Sequence, residues 1–413
     1  MTPEISTRGR QMPASPIRKL TPLADAAKKR GVRVLHLNIG QPDLETPQAM
    51  RDQLTKVPAV VAYSPSQGTA ECQGALRRYY QRALGVCLGN DEVLATTGGS
   101  EAIQFALMAS ANPGDQVLVV EPYYTNYAAF AAMAGVTLSP ITAKAEDGFH
   151  LPPREDWERA KTARTRALIL CNPNNPTGTV YTREEVMAAA QFCRDHGLFL
   201  IADEVYREFA YDGRQPVSAL SLAGYEDLTV MVDSLSKRYS ACGMRLGCLV
   251  TRNRDFYGAC LRMAQGRLSP PGLAQLMSLG ADELGPDYSA GVVAEYQKRR
   301  DLLYRGMGEI PGVFLRKPEG AFYFVARLPV KDSEDFAAWL LSDFEHQGAT
   351  VMVAPAPGFY ATPGLGQDEV RIAYVLKAED LELAVRVFRH GLEAYRQARG
   401  LAPVGVEAVA APA

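Results

Sequence analysis

Apolar residues along the chain cluster in short, β-rich runs separated by longer stretches with helical spacing. Runs at Val93–Thr96, Gln116–Val120, Thr137–Ile141, Ala167–Cys171, Phe199–Ala202, Thr229–Val232 and Leu246–Val250 predict seven strands. Helical patterns fill the intervals, as at Glu101–Ala111 and Arg183–His196. Strands alternating with helices predict an α/β fold, with a mostly parallel seven-stranded sheet covered on both faces. After Pro286 the texture changes. A long helix with solvent charges at helical spacing (Glu295, Lys298, Arg299) is expected over Tyr288–Met307. Strands follow at Ala321–Arg327, Thr350–Val353 and Val370–Val375, with helices at Ser333–Gln347 and Ala378–Ala398, which reads as a smaller α+β domain. The opening segment Met1–Ile39 holds one expected helix, Pro22–Arg30, and one strand, Val34–Asn38. These two elements cannot bury a core alone, so they should pack on the C-terminal domain or on a partner subunit. The expected division is a large domain over 46–290, a small domain from 1–45 and 291–400, and a flexible tail over 401–413 that is rich in Ala, Val and Pro.

Composition narrows the class. The chain has 413 residues, 47% of them hydrophobic, which is too apolar for a disordered chain. With 44 basic and 46 acidic side chains the formal charge is −2, which argues against nucleic acid or an anionic membrane as partner. No apolar run is long enough to span a bilayer, and the polar, proline-containing start lacks the apolar centre of a signal peptide, so a cytoplasmic location is expected. The seven cysteines contain no CxxC pair and are expected to be buried small hydrophobes. The five histidines are scattered without ligand spacing, and no metal site is expected.

Candidate chemistry starts at Lys237, in Asp233-Ser234-Leu235-Ser236-Lys237-Arg238-Tyr239, directly after an apolar strand. A lysine at a strand end in a serine-rich turn suits a nucleophile. Arg245, between Gly243 and Gly247, suits a phosphate contact. Asp203 ends a strand and there points into the ligand crevice of a parallel sheet, although an aspartate at such a position also serves as a helix cap. In Asn172-Pro173-Asn174-Asn175-Pro176-Thr177-Gly178 the prolines and glycine stiffen a loop carrying Asn175. In Thr97-Gly98-Gly99-Ser100-Glu101 a strand leads into a helix whose free amides form an anion site. Neither a dinucleotide fingerprint nor a P-loop is present.

In the order GGSEA, NPNNPTG, DEVY, SLSK, GMR, these motifs resemble the pyridoxal-phosphate-dependent aminotransferases of fold type I, class I/II, the aspartate aminotransferase family, over about residues 15–395. The resemblance implies pyridoxal 5′-phosphate held as a Schiff base on Lys237, which also moves the substrate α-proton. It implies Asp203 at the pyridine nitrogen and Asn175 and Tyr206 at the phenolic oxygen. Gly99, Ser100, Glu101, Ser234, Ser236 and Arg245 would hold the phosphate, and Tyr124 would stack on the ring where many relatives carry Trp or Phe. Tyr63 would reach the phosphate of a neighbouring subunit, implying a homodimer. Arg371 would clamp the substrate α-carboxylate, with Gly40 beside it and Asn175 also touching substrate. The implied reaction transfers an amino group between an L-amino acid and a 2-oxo acid, aspartate and 2-oxoglutarate first, with alanine or aromatic donors as alternatives. Arg267, from this subunit or its partner, is the candidate for a distal carboxylate, against the alternative of a surface arginine. The motifs are shared with PLP-dependent C–S lyases, and Pro318-Glu319-Gly320-Ala321-Phe322-Tyr323 favours the aminotransferase version. A transcription regulator would need a DNA-binding domain ahead of the motifs, and only about 40 residues precede Gly40.

Overall fold

The computed structural model describes residues 3–402 of the chain. The expected tail over 401–413 lies outside the described residues from position 403 onward. After strand β1 (Arg33–His36), the seven expected strands form one sheet: β2 (Val93–Thr96), β3 (Gln116–Glu121), β4 (Thr137–Thr142), β5 (Thr165–Cys171), β6 (Phe199–Asp203), β7 (Thr229–Ser234) and β8 (Gly247–Thr251). Their order is β2-β8-β7-β6-β5-β3-β4. All pairings are parallel except those of β8, which runs antiparallel to β2 and β7. Alternate residues feed two cores. Val117, Val119, Ile169 and Ile201 pack on one side with helix Gly98–Ser110, whereas Leu118, Val120, Leu168 and Leu200 pack on the other with helix Arg183–His196. Both faces are covered, which is why these strands read as unbroken apolar runs.

Helix Gly98–Ser110 starts three residues before the expected Glu101, so Gly99, Ser100 and Glu101 occupy its first turn. The long helix runs over Pro286–Gly308, two residues earlier than expected, with Pro286 at a first-turn position where no amide is needed. Helix Ala378–Ala398 matches its expected bounds. Helix Ser333–Ser342 stops short of Gln347, since Asp343 leaves helical geometry at φ −121°, and Gln347 and Gly348 then take positive φ where the chain turns into the next strand.

Four strands, β9 (Phe314–Leu315), β10 (Tyr323–Arg327), β12 (Ala354–Pro355) and β13 (Glu369–Ala373), form an antiparallel sheet in the order β12-β13-β10-β9. β1 pairs in parallel with β11 (Ala349–Met352), from Arg33 opposite Ala349 to His36 opposite Met352. Ala24 and Ala27 of helix Thr21–Lys29, and Leu20 just before it, share one apolar core with Val351, Leu340 and Phe388, so both ends of the chain build the second lobe. No helix among the described residues is long and apolar enough to cross a membrane.

Candidate active site

Parallel strands β5, β6 and β7 end at one edge of the large sheet. Their last residues, Cys171, Asp203 and Ser234, open onto a cavity of about 680 Å³. The same cavity is lined by Gly99 and Ser100 from the helix start, by Tyr124, Asn175, Tyr206, Ser236, Lys237 and Arg245, and by Gly40, Tyr323 and Arg371 from the second lobe. Such a crevice outside the carboxyl ends of parallel strands is where this sheet architecture places ligands.

Ser234 caps the short helix Leu235–Arg238: its Oγ accepts from the Ser236 amide at 3.2 Å and donates to Ser236 Oγ at 2.8 Å. This turn projects Lys237, whose Nζ donates to Gly40 O at 2.7 Å and lies 3.6 Å from Cys242 Sγ. Beneath it is a buried ionic cluster. Asp233 accepts from Arg238, from Tyr80 OH at 2.8 Å and from Arg207 at 3.3 Å, and Arg207 also donates to Glu204 at 2.9 Å. Burial works to raise the Asp233 carboxyl, but Arg238 and Arg207 beside it overrule that and leave it lowered. The cluster flanks both Asp203 and Lys237 in sequence, so it anchors the strand ends that carry them.

Asp203 is buried, accepting from Tyr127 OH at 2.5 Å and from the Val205 amide at 3.2 Å. Burial pushes its carboxyl up to about 6 against those hydrogen bonds. Asn175 Nδ2 donates to Tyr206 OH at 3.4 Å, and Tyr206 OH lies 3.0 Å from Tyr323 OH. The Tyr124 phenol accepts from Asn126 at 2.8 Å. Tyr123 is buried in the apolar core and does not line the cavity.

Arg371, on β13, is only 2% exposed. It donates to Asn38 O at 2.6 Å and to Asn175 Oδ1 at 3.2 Å, while its guanidinium lies 4.4 Å from the centre of the Tyr323 ring. Its Nε has no acceptor, and no described carboxylate pairs with it. Burial pulls it below the ordinary arginine value. A buried guanidinium without an acid is costly and calls for an anion from outside. Arg245, with φ of 56°, also lacks an acidic partner among the described residues and donates to Cys242 O at 3.1 Å. Gly98 has φ of +72°, and a Cβ there would come 2.5 Å from Arg245 Nη2. A Cβ on Gly247 would lie 2.6 Å from both Asp233 O and the Gly98 carbonyl carbon. The missing side chain thus lets the helix start pack onto β8 at the cavity wall.

Three of the expected residues stand outside this cavity lining. Tyr63 is 82% exposed and away from this cavity. The Glu101 carboxylate turns back to accept from the Thr97 amide at 2.8 Å and pairs with Arg267 at 3.1 Å, which leaves only its backbone facing the helix start. Arg267 donates to Ser66 O at 2.9 Å and lies 3.1 Å from Glu101, its Nη1 makes no hydrogen bond, and it does not line the cavity of its own protomer. Of the cysteines, Cys72, Cys171, Cys193, Cys248 and Cys260 are buried, Cys87 is exposed, and half-buried Cys242 lines the cavity. Asn38, Tyr127 and Arg18 join the site without having been singled out. Tyr323 ends the motif Pro318–Tyr323 and Asn38 ends the expected strand Val34–Asn38, whereas Tyr127 and Arg18 carry no local signal.

Residues 32–388 match the family described as aminotransferase class I and II. A Petunia hybrida protein named bifunctional aspartate aminotransferase and glutamate/aspartate-prephenate aminotransferase is 30% identical, over 90% of this chain and 79% of its own. The alanine aminotransferase of Pyrococcus furiosus superposes with a TM-score of 0.87 at 28% identity, covering 95% of this chain and 100% of its own. The aspartate aminotransferase of Thermus thermophilus with maleate gives 0.86 at 28% identity, covering 94% and 100%.

Proposed function

The chain belongs to the class I and II aminotransferase family, with the fold type I architecture, and from that premise we propose that it exchanges amino groups between L-aspartate and 2-oxoglutarate. The observation that carries this reading is the charge of the cavity. Lys237, Arg245 and Arg371 all line it, and Asp203 is the one acidic side chain among its described lining residues. That pattern fits a ligand set with an aldehyde, a phosphate and a carboxylate.

The residues present fit pyridoxal 5′-phosphate. Arg245, the Ser234 and Ser236 hydroxyls and the first-turn amides of Gly99, Ser100 and Glu101 would hold the phosphate. Asp203 would pair with the ring nitrogen, Tyr124 would cover the ring, and Asn175 and Tyr206 would meet its phenolic oxygen. When bound, this group supplies the electron sink that lets an amino-acid α-carbon release a proton. Lys237 Nζ would hold the aldehyde carbon of the group, and as a free amine it would remove the proton from the substrate α-carbon. Arg371 grips the α-carboxylate, and the Asn175 and Asn38 oxygens hold the guanidinium plane in orientation. Gly40 O keeps the Lys237 amine aimed across the lobes. The division into 46–290 and 1–45 with 291–400 is read as two bodies whose closure excludes water.

The exposed apolar run Val60, Val61 and Tyr63, at 76%, 60% and 82%, supports a homodimer in which Tyr63 completes the partner's phosphate site. The test is the purified protein with cofactor, assayed with aspartate, alanine and aromatic donors against 2-oxoglutarate. Aspartate is expected to lead, and Lys237→Ala to lower turnover by at least roughly a thousandfold. Wild-type protein that binds the cofactor yet leaves every donor unchanged would defeat the reading.

A further inference from the structure

One cation of the cavity has no task in this scheme. Arg18 lines it along with Lys237, Arg245 and Arg371. Its guanidinium has no hydrogen bond or ion pair to any described residue, while the next residue, Lys19, pairs outward with Glu334. The segment carrying Arg18 is fixed in place. Ile17 packs on the apolar cluster of Ala354, Ala356 and Phe359, and a Cβ on Gly358 would run into the Pro16 ring. Ile17 O accepts from Asn38 Nδ2 at 3.3 Å, and Asn38 O accepts from Arg371 Nη2 at 2.6 Å. Arg18 therefore follows directly on a residue hydrogen-bonded to Asn38, whose carbonyl Arg371 grips, and both arginines line the same cavity.

We propose that Arg18 is the specificity-determining residue that binds the distal carboxylate of a dicarboxylic substrate whose α-carboxylate is held by Arg371. The inference rests on the aminotransferase reading and assigns it a substrate class. Phosphate and α-carboxylate take two arginines, and a second carboxylate takes the remaining one. Arg267, the other candidate, lies 3.1 Å from Glu101 and does not line this cavity. Arg18 is exposed where Arg371 is buried. An exposed guanidinium stays hydrated when no second carboxylate arrives, so a short apolar side chain is admitted, with lower affinity than a dicarboxylate.

The experiment compares succinate with propionate, unreactive acids with and without the second carboxylate, by calorimetric titration of the cofactor-loaded protein. Single half-reactions with aspartate and with alanine accompany it. Wild type is expected to favour succinate by roughly thirtyfold or more, with Arg18→Ala reducing that preference to about threefold and Arg18→Lys keeping part of it. The aspartate-to-alanine ratio of kcat/KM should fall in parallel. An unchanged succinate preference in Arg18→Ala, or none in wild type, overturns the proposal. Arg18-dependent succinate preference in a protein that transaminates nothing would instead uphold the subsite and defeat the aminotransferase reading.

Discussion

Arg371 Nε reaches no acceptor, and the rest of its guanidinium is held by neutral oxygens alone. A buried, acid-free cation of this kind is kept at the expense of stability. Arg371→Met is therefore expected to leave the ligand-free melting temperature equal or higher while raising KM for every amino donor by roughly a hundredfold. A melt several degrees lower with KM intact would make Arg371 structural. Asp203 supplies a second test at this scale. Its carboxyl, raised by burial from an ordinary 3.8 to about 6, holds a proton in the folded state that the unfolded chain has already lost. The stability this adds is largest below the ordinary value and disappears as pH rises through the folded one. Ligand-free wild type should then lose stability relative to Asp203→Asn between about pH 4 and about pH 7, as read by urea unfolding. Parallel curves for the two proteins would show that Asp203 is not protonated in the cavity.

His150 joins three segments. Its Nδ1 lies 3.0 Å from Glu185, the capping-box residue of helix Arg183–His196, and its Nε2 lies 3.7 Å from Glu319 in the loop before β10. The hydrogen bond to Glu185, and then the nearby Glu319 carboxylate, raise its pKa from 6.5 to about 9. Stability from the charged imidazole is fully present below the lower value and lost as pH rises through the upper one. The urea midpoint of wild type should fall across that window, and His150→Gln should flatten the fall. Gly247 acts at the same scale, where helix start meets strand. With backbone on both sides of the missing Cβ, Gly247→Ala should destabilise by about 1–3 kcal/mol and weaken cofactor retention, both measured on the purified protein. Unchanged stability would mean that β8 and the helix start can move apart freely.

The two lobes meet where Tyr323 OH, from β10, lies 3.0 Å from Tyr206 OH and where Lys237 reaches Gly40 O. The exposed run around Val60 and Val61 leaves one further surface for a second copy. Val60→Asp combined with Val61→Asp should yield a monomer by light scattering that releases its cofactor. A wild-type monomer in solution, or a variant still dimeric, would remove Tyr63 from the shared site.

The strands of the large sheet, helices Arg183–His196 and Ala378–Ala398, and the order of motifs around Lys237, Asp203 and Arg371 were legible in the chain itself. Each depends on apolar periodicity or turn chemistry within a few neighbouring residues. The end of helix Ser333–Ser342 was less legible, because the backbone leaves helical geometry at Asp343 while the apolar pattern runs on. Only the tertiary structure decided which side chains face one another. Tyr127 holds Asp203 because its helix shares one apolar core with Ile201 of β6. Arg267 turns to Glu101 because helix Arg254–Arg267 ends beside helix Gly98–Ser110, and Arg18 enters the cavity because β1 pairs with β11 and brings the chain's opening back to the site. Partners distant in sequence are chosen by strand register and packing, which no local pattern encodes.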